Sequence, residues 1–485
     1  MAVFQIKDVY QIMQALANQA TGRSDIAVVD HTGFIDAGTT TLATGTDNVL
    51  GAIARTIRDV FIVGRPYTGK FSLVNASEEK FNDRHANIHF YTKYNEAEGG
   101  FNTDLYTNLA DGYDNGTNGG ASAPNMWVQD LPKVVERFFL SESVWQKRMT
   151  TPLVQLQNAF NDEGAFIAFM NGYALNVQNE INTYIENRNR ALVADRIAGI
   201  YLQVQNGTLG EECAVDFTKV FQDETGTTYT RDEILKEHQT EFLEILMSKL
   251  RIDSDRLEEY SALYHDPKQI TEGGVDYYVL SHTPKANQRA FIINELLFKA
   301  RSRVAPEIFG PQYIPEAQGE KVNFWQSDKE GHRYEIKCKP ALPEGVASEE
   351  VDLDCVLGLV FDDRAIYSHN QFTGMYSTPV EAAKLYKNDI WHFKFGSYTD
   401  YLSNSIMYYM SEYGNLYGED KFTGDGAEDD FVLTDAASQI LEVTVNGVAV
   451  ASTDYTYDAD TKTVTFGSAP ANKAKIVVKY VKDVE

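Results

Sequence analysis

The sequence predicts an α+β protein that ends in a small all-β domain. The first observation is a run of apolar residues at spacings of three and four across residues 166–185, which indicates a long amphipathic helix. The second is the alternation of aromatic and other residues across 391–396, which indicates a strand with one aromatic face. The third is the segment 430–485, where nearly every stretch has strand periodicity and turn residues separate the stretches.

Composition indicates globular domains with a large excess of acid. The 485 residues are 43% hydrophobic and 23% charged, and their formal net charge is −27. Length alone predicts about two to four domains. A dedicated nucleic-acid binder would carry a basic patch, so the charge argues against that class. It is compatible with a protein that lies near DNA without binding it, or that stays soluble at high local concentration.

The three cysteines, Cys213, Cys338 and Cys355, are widely spaced and form no C-x-x-C motif. They predict unreactive thiols in a reducing compartment. The first 20 residues carry Gln, Asp and Lys within their apolar stretch, which makes a poor signal peptide. The chain has no apolar run of about 18 residues, so no membrane span is expected. Export by a signal-independent route stays open.

The N-terminal third divides into two predicted helices and a long arm. Helical periodicity covers residues 1–20, a Thr/Gly-rich stretch at 32–48 reads as a loop, and Asp47 is placed to cap a second helix at 50–60. Residues 64–150 combine two extended limbs with a Gly/Asn-rich tract between them. This is more chain than a surface loop uses, so we expect a functional arm or disorder.

The long helix is expected within residues 153–205 and to stop near Asn206-Gly207. The remaining predicted elements are a helix opened by the Thr230/Glu233 capping box and running through Leu250, a helix over 285–303, a strand over 351–361, a helix from a second capping box at 378–381 to Tyr386, and strands at 391–395 and 403–411.

The patterns that usually mark chemistry are weak or absent. No phosphate-binding, dinucleotide-binding, nucleophile-elbow or zinc-protease motif occurs. His85 and His89 are four apart, but in strand-like sequence that spacing does not converge on a metal, so we interpret them as exposed polar residues of the arm. Segment 111–120 resembles a calcium loop starting at Asp114, but its third and twelfth positions hold Gly116 and Asn125.

The acidic clusters have simpler explanations. Asp425 and the acids at 428–430 read as a solvated linker. The pairs Asp362-Asp363 and Glu349-Glu350 are sequence neighbours, which on a strand point to opposite faces rather than across a substrate. No residue is therefore predicted to be catalytic, to bind a cofactor or to ligate a metal, and the protein is not expected to be an enzyme.

The order of these elements resembles that of the major capsid protein of tailed bacteriophages, which has the fold first described for phage Hong Kong 97. Among these proteins the resemblance is greatest to the capsid proteins of small podoviruses. The resemblance covers most of residues 1–412. It implies six regions, namely an N-terminal arm with helices (1–63), an extended hairpin called the E-loop (64–150), a peripheral domain with the spine helix (151–206), an axial domain (207–386), return strands of the peripheral domain (387–417) and a C-terminal module (418–485).

The C-terminal module carries a more recognisable pattern, which resembles small immunoglobulin-like β-sandwich modules of phage structural proteins. The matching segments are 424–426, 431–434, 443–448, 452–456, 463–471 and 476–480. From the residues themselves, Asn446-Gly447 predicts a type I′ turn. Val443, Val445, Val464 and Phe466 are expected to form one buried face.

The resemblance implies a non-enzymatic shell protein that assembles through pentamers and hexamers around packaged double-stranded DNA, without a cofactor. It implies copies of itself, a scaffolding protein, a portal and minor or decoration proteins as partners. It also implies assembly in the host bacterial cytoplasm and residence in the virion, with the C-terminal module on the outer surface. The alternatives are another shell or tail protein of encapsulin type, a glycan-binding adhesin and, last, a hydrolase with scattered carboxylates.

Overall fold

The computed structural model describes residues 6–22, 25–43, 71, 74, 85–93, 133–139, 143–152, 163–272, 275–295, 319–343, 346–381 and 383–483. The helix predicted at 50–60 with its Asp47 cap, the Gly/Asn-rich tract of the arm and the calcium-like segment at 111–120 lie outside these residues.

The α-helices within this part of the chain are α1 (Ile6–Thr21), α2 (His31–Ala43), α3 (Glu163–Gln205), α4 (Phe217–Thr225), α5 (Arg231–Lys236) and α6 (Gln239–Arg256). The strands before the C-terminal module are β1 (His85–Lys93), β2 (Val134–Phe139), β3 (Ser143–Pro152), β4 (Ala214–Asp216), β5 (Gln269–Glu272), β6 (Val275–Val279), β7 (Gln288–Ile293), β8 (Gly319–Val322), β9 (Ile336–Cys338), β10 (Val351–Leu353), β11 (Val356–Asp362), β12 (Ile366–Ser377), β13 (Tyr386–Thr399) and β14 (Ser405–Tyr409).

The first helix forms where it is predicted, but the loop expected at 32–48 is wrong, because most of it is helix α2. The Asp30 carboxylate accepts a hydrogen bond from the Gly33 N–H at 2.7 Å, which satisfies one free donor of the first turn. Phe34, Ala37 and Thr41 lie on one face of α2 and are buried. Burial of that face therefore outweighs the low helix propensity of a Thr/Gly-rich segment.

The long helix is confirmed and is longer than its apolar pattern suggested. Helix α3 has 43 residues, and Gly207 follows its end in the left-handed region at φ 69°. Its C-terminal half is buried in the main core, in which Val193, Ile197 and Ile200 are almost fully enclosed. Gly199 allows the Tyr401 side chain to touch the helix, since a Cβ there would lie 1.9 Å from the Tyr401 hydroxyl oxygen.

A five-stranded sheet in the order β4-β14-β11-β7-β8 packs in the same core. The helix predicted over 285–303 is wrong in its described part, because residues 288–293 form strand β7 between β11 and β8. Phe291 and Ile293 are buried there. A short apolar run fits a helix or a strand equally well by period, and long-range pairing decides for the strand. The strand predicted over 351–361 is confirmed, divided into β10 and β11.

The aromatic strand at 391–395 is confirmed as part of β13, the centre of a sheet in the order β12-β13-β3. The helix predicted from the capping box at 378–381 is wrong, because these residues belong to a connection between β12 and β13. The Thr378 hydroxyl accepts from the Asn388 N–H at 3.1 Å across this connection, and Glu381 forms a β-bridge with Tyr386.

The capping box at the start of α5 is confirmed, since the Thr230 N–H donates to Glu233 Oε2 at 2.8 Å. The helix does not continue through Leu250 as predicted, because the chain breaks near His238 and resumes as α6. The strand predicted at 403–411 is confirmed as β14.

Residues 417–483 form two sheets around a core of their own. The strands are β15 (Tyr417–Thr423), β16 (Asp430–Val432), β17 (Ala437–Val445), β18 (Val448–Ala449), β19 (Tyr455–Asp458), β20 (Thr463–Phe466) and β21 (Lys475–Lys482), paired as β15-β21-β17-β18 and β16-β20-β19. Val443, Val464 and Phe466 are buried in this core and Val445 packs against it, as predicted. Asn446 and Gly447 have φ of 53° and 78°, as a type I′ turn requires.

Candidate functional site: the root of the arm

The histidine, cysteine and acidic residues considered in the sequence as metal or catalytic sites do not lie together in the structure. Among the described residues, no three His, Cys, Asp or Glu side chains are placed to hold a metal. Asp362 accepts from the Thr283 hydroxyl, whereas Asp363 accepts from the Asn287 amide, so the two carboxyls serve different partners. Asp425 accepts hydrogen bonds from the backbone N–H groups of Ala427 and Glu428 at 2.8 and 2.7 Å, which is the geometry of a loop.

The three cysteines are free thiols. Burial raises the pKa of each of the Cys213, Cys338 and Cys355 thiols to about 12. Because the thiolate is the reactive form, all three side chains remain as the less reactive thiol at neutral pH.

The arm is a hairpin of β1 and β2 attached to the main body. The two strands pair antiparallel from His85↔Phe139 to Phe90↔Val134, and β1 also pairs with β6, Tyr91 lying opposite Val279. The second extended limb predicted within 64–150 contains two separate strands, because β2 pairs within the arm and β3 pairs with β13. Alternation gives the hairpin two faces of different character.

The inner face is polar and is bound to one buried carboxylate. Asp400 accepts from the Asn87 amide at 2.7 Å, from His89 Nε2 at 2.9 Å and from Arg137 Nη1 at 3.5 Å. Arg137 also donates through Nη2 to Asp266 at 3.0 Å. The expectation that His89 is an exposed arm residue is therefore wrong, because its side chain is largely covered and joins the arm to the core.

Asp400 is ionised in this setting. Its side chain is fully buried, and burial alone would raise its pKa. Hydrogen bonds from His89, Asn87 and the Leu402 N–H, the last at 3.0 Å, outweigh burial and hold the pKa of the Asp400 carboxyl below its usual value. A charged carboxylate therefore fixes both strands of the hairpin at its root.

The outer face of the hairpin is exposed and mostly apolar, with one charged residue, Glu136, opposite Ile88. The exposed fractions are 53% for Ile88, 58% for Phe90, 44% for Val134 and 64% for Phe138. Phe90 lies opposite Val134 and Ala86 lies opposite Phe138 in the register, so these side chains share one surface. We call Ile88, Phe90, Val134 and Phe138 the outer arm face. Exposed apolar side chains grouped around a single charge, here Glu136, are typical of sites that contact other molecules.

A cleft of about 760 Å³ lies between the arm root and α3. Arg137, Phe139, Asp195 and Tyr398 are among its lining residues, and the Phe139 and Tyr398 rings stack at 4.4 Å between centroids. Burial raises the pKa of the Asp195 carboxyl to about 6, although the Ala341 N–H donates to it at 2.8 Å. The cleft shows no arrangement of nucleophile and base.

The arrangement is suited to contact rather than to catalysis, because charges fix the hairpin while its apolar face points outward. The alternation of polar and apolar residues at 87–91 was the one signal in the sequence for this two-faced strand. The contact of Asp400 with the arm could not be predicted from the sequence, because Asp400 lies 311 positions from His89.

Comparisons with known proteins return solved structures only, because no protein-family profile and no curated protein matches the chain. The capsid of Staphylococcus phage Andhra is 8% identical, with 72% of this chain and 86% of that chain covered and a TM-score of 0.42. The capsid of Cyanophage P-SCSP1u is 10% identical, with 70% and 87% covered and a TM-score of 0.39. The mature capsid of bacteriophage PhiM1 is 9% identical, with 72% and 89% covered and a TM-score of 0.34.

These solved structures are all phage capsids, but TM-scores below 0.5 do not establish a shared fold. None of the described helices is both long and apolar enough to cross a bilayer.

Proposed function

We propose that this chain is a major capsid protein of a tailed bacteriophage, a structural subunit that assembles with copies of itself into an icosahedral shell around packaged DNA. The observation that carries the proposal is the outer arm face, four exposed apolar side chains around Glu136 on a hairpin whose inner face is fixed by Asp400. A closed ring needs a projecting surface of one subunit that fits a different surface of the next.

A second copy of the chain is the occupant that best fits this face. The strands are fixed at their root by Asn87, His89 and Arg137, so the hairpin presents its apolar surface in one direction. A fixed projection lowers the conformational entropy that each subunit contact must overcome. The net charge of −27 gives copies a long-range repulsion, which apolar contact area must offset.

The further parts of the proposal follow the order of elements. The arm at 64–150 acts as the E-loop, α3 as the spine helix of a peripheral domain at 151–206 completed by strands at 387–417, and 207–386 as the axial domain. Pentamers and hexamers, a scaffolding protein, a portal, minor capsid proteins and nearby double-stranded DNA complete the expected assembly in the bacterial cytoplasm and the virion. The module at 418–485 is proposed to decorate the outer surface.

Negative-stain electron microscopy of the purified full chain, alone and with a scaffolding partner, tests this function. We expect rings of five and six or closed shells. A strictly monomeric protein would contradict the proposal, and glycan binding through 418–485 by such a monomer would favour an adhesin. Deletion of 418–485 is expected to leave assembly intact, because that module has its own core. Loss of assembly by a folded deletion variant would show that the module is part of the shell contacts.

A further inference from the structure

A continuous line of hydrogen bonds crosses the main body beside the arm root. His265 Nε2 lies 2.8 Å from the Val279 carbonyl oxygen, and His265 Nδ1 lies 2.8 Å from Asn404 Oδ1. Asn404 Nδ2 lies 3.2 Å from the Thr283 Oγ1, which lies 2.8 Å from Asp362 Oδ2. His265, Asn404 and Thr283 are almost fully buried, so water does not replace a missing bond at these positions.

The hydrogen bonds along this line need one more hydrogen than its neutral groups supply. Four hydrogen bonds join Val279, His265, Asn404, Thr283 and Asp362. A neutral imidazole, one side of the amide and one hydroxyl supply three hydrogens, while the carbonyl and an ionised carboxylate only accept. One further proton is therefore needed to complete the line, and a buried polar atom without its bond costs about 1–3 kcal/mol.

The extra proton has two possible positions. With the Asn404 NH2 facing Thr283, both ring nitrogens of His265 donate and the imidazole is a cation. If the amide turns by 180°, which leaves its shape unchanged, Asp362 donates to Thr283, Thr283 to Asn404 and Asn404 to a neutral His265. Burial lowers the pKa of His265 and raises the pKa of Asp362, so the second arrangement is favoured.

The charged groups around the two ends modify this balance without removing it. Asp266 favours and His89 opposes the cationic form of His265. At the other end, Asp363 favours protonation of Asp362, while the Arg364 side chain and the Arg364 N–H, which donates to Oδ1 at 2.9 Å, oppose it. Both positions of the proton give the same total, one proton more than neutral histidine and ionised aspartate hold together.

We propose that His265, Asn404, Thr283 and Asp362 form a proton-binding site that holds one shared proton at neutral pH and completes the joint on which the arm is mounted. The site touches the arm twice. Val279, which accepts from His265, lies opposite Tyr91 of β1, and Asp266, next to His265, binds Arg137 of β2. Loss of the proton removes a bond from this joint. The proposal does not depend on the shell function.

The pH dependence has a definite sign. Unfolded His265 and Asp362 titrate near their ordinary pKa values of about 6.5 and 3.9, so above pH 7 the unfolded pair lacks the proton that the folded site holds. Stability from this site is therefore complete between about pH 4 and 6.5, where the folded and unfolded pairs each hold one proton, and it falls as the pH rises through the folded pKa of the site, by up to a factor of ten in the folding equilibrium per pH unit.

Asp362→Asn tests the count, because an amide supplies the missing hydrogen to Thr283 without a titrating proton. Urea unfolding of the full chain is followed between pH 6 and 9 by tryptophan fluorescence, which reports the main body because the four tryptophans all precede residue 417. Asp363→Asn is the neighbouring comparison, because its carboxyl accepts from Asn287 outside the line but its charge favours the proton on Asp362, so this variant should move the pH dependence to lower pH without abolishing it.

We expect the wild type and D363N to lose stability with rising pH more steeply than D362N, by a difference approaching one proton. Thr283→Val gives a second measurement, because it removes the hydroxyl that joins Asn404 to Asp362. The two hydrogen bonds that remain on His265, to Val279 and Asn404, then need only two hydrogens, which a neutral imidazole and the amide supply. The T283V site should also fail to hold the extra proton, so T283V replaces D362N as the test if D362N does not fold. Equal pH slopes in the wild type and in the folded line variants would overturn the proposal.

Discussion

The arm hairpin and the C-terminal module are both antiparallel β-structures, but they are stabilised in opposite ways. The module encloses Phe431, Val464 and Ile476 in its own core. In its described strands the hairpin has no such core, since its inner face depends on Asp400 of the main body and its outer face is exposed. A two-stranded hairpin alone is marginal in water, whereas two packed sheets are not. This difference predicts that the module can be removed without loss of the remaining fold, whereas the arm depends on the main body.

Removal of the anchor is expected to have the largest effect. Asp400→Ala leaves Arg137 and His89 without the carboxylate that both contact, and breaking a buried pair by removing one partner costs about 3–5 kcal/mol. Urea unfolding monitored by tryptophan fluorescence measures the change. A loss below about 1 kcal/mol, as for an exposed pair, would mean that the hairpin does not depend on Asp400.

Truncation of a core side chain in the module is expected to cost nearly as much stability, but only within the module. Ile476→Ala removes a fully buried side chain, which costs about 2–5 kcal/mol. Amide hydrogen exchange should show faster exchange in 417–483 and unchanged protection in α3. Loss of protection in both regions would contradict the separation of the two cores.

The Asp195 carboxyl in the cleft gives a smaller effect with a defined pH dependence. Burial raises its pKa from 3.8 to about 6, so stability falls as the pH rises between these two values and the loss is complete above about pH 6. Asp195→Asn keeps an oxygen for the Ala341 N–H and should stabilise the protein at pH 7 but not at pH 3.5. The same gain in Tm at both pH values would show that charge is not the cause.

The smallest effect is expected at an exposed ion pair of the module. Lys479 Nζ lies 2.8 Å from Glu442 Oε2, and both side chains are well exposed. Glu442→Ala should change the free energy of unfolding by about 0–1 kcal/mol. This variant serves as the surface control for Asp400→Ala, and a comparable loss in both would remove the distinction between buried and exposed pairs.

Local chemistry explains which elements the sequence could predict. Asn446-Gly447 and the Thr230/Glu233 box act through neighbours in the chain, and both form as expected. The error at 285–303 lies where strand pairing with distant residues overrides a local helix signal. The error at 378–386 lies in the connection of the β12–β13 hairpin, where contacts of Thr378 with Asn388 and of Glu381 with Tyr386 replace the predicted helix. The long helix was predictable from its period, whereas the anchoring of His89 by a residue 311 positions away was not.

The most direct test of the central claim is whether charges on the outer arm face prevent assembly. Phe90→Glu with Phe138→Glu adds two carboxylates to that face beside the native Glu136, and Val448→Glu places one at a 69% exposed position of the module. Sedimentation velocity of the full chain measures the assembled fraction, with tryptophan fluorescence as the check on folding. We predict that the arm variant stays folded but unassembled, while the Val448 variant assembles as the wild type does. Normal assembly by the folded arm variant would contradict the account.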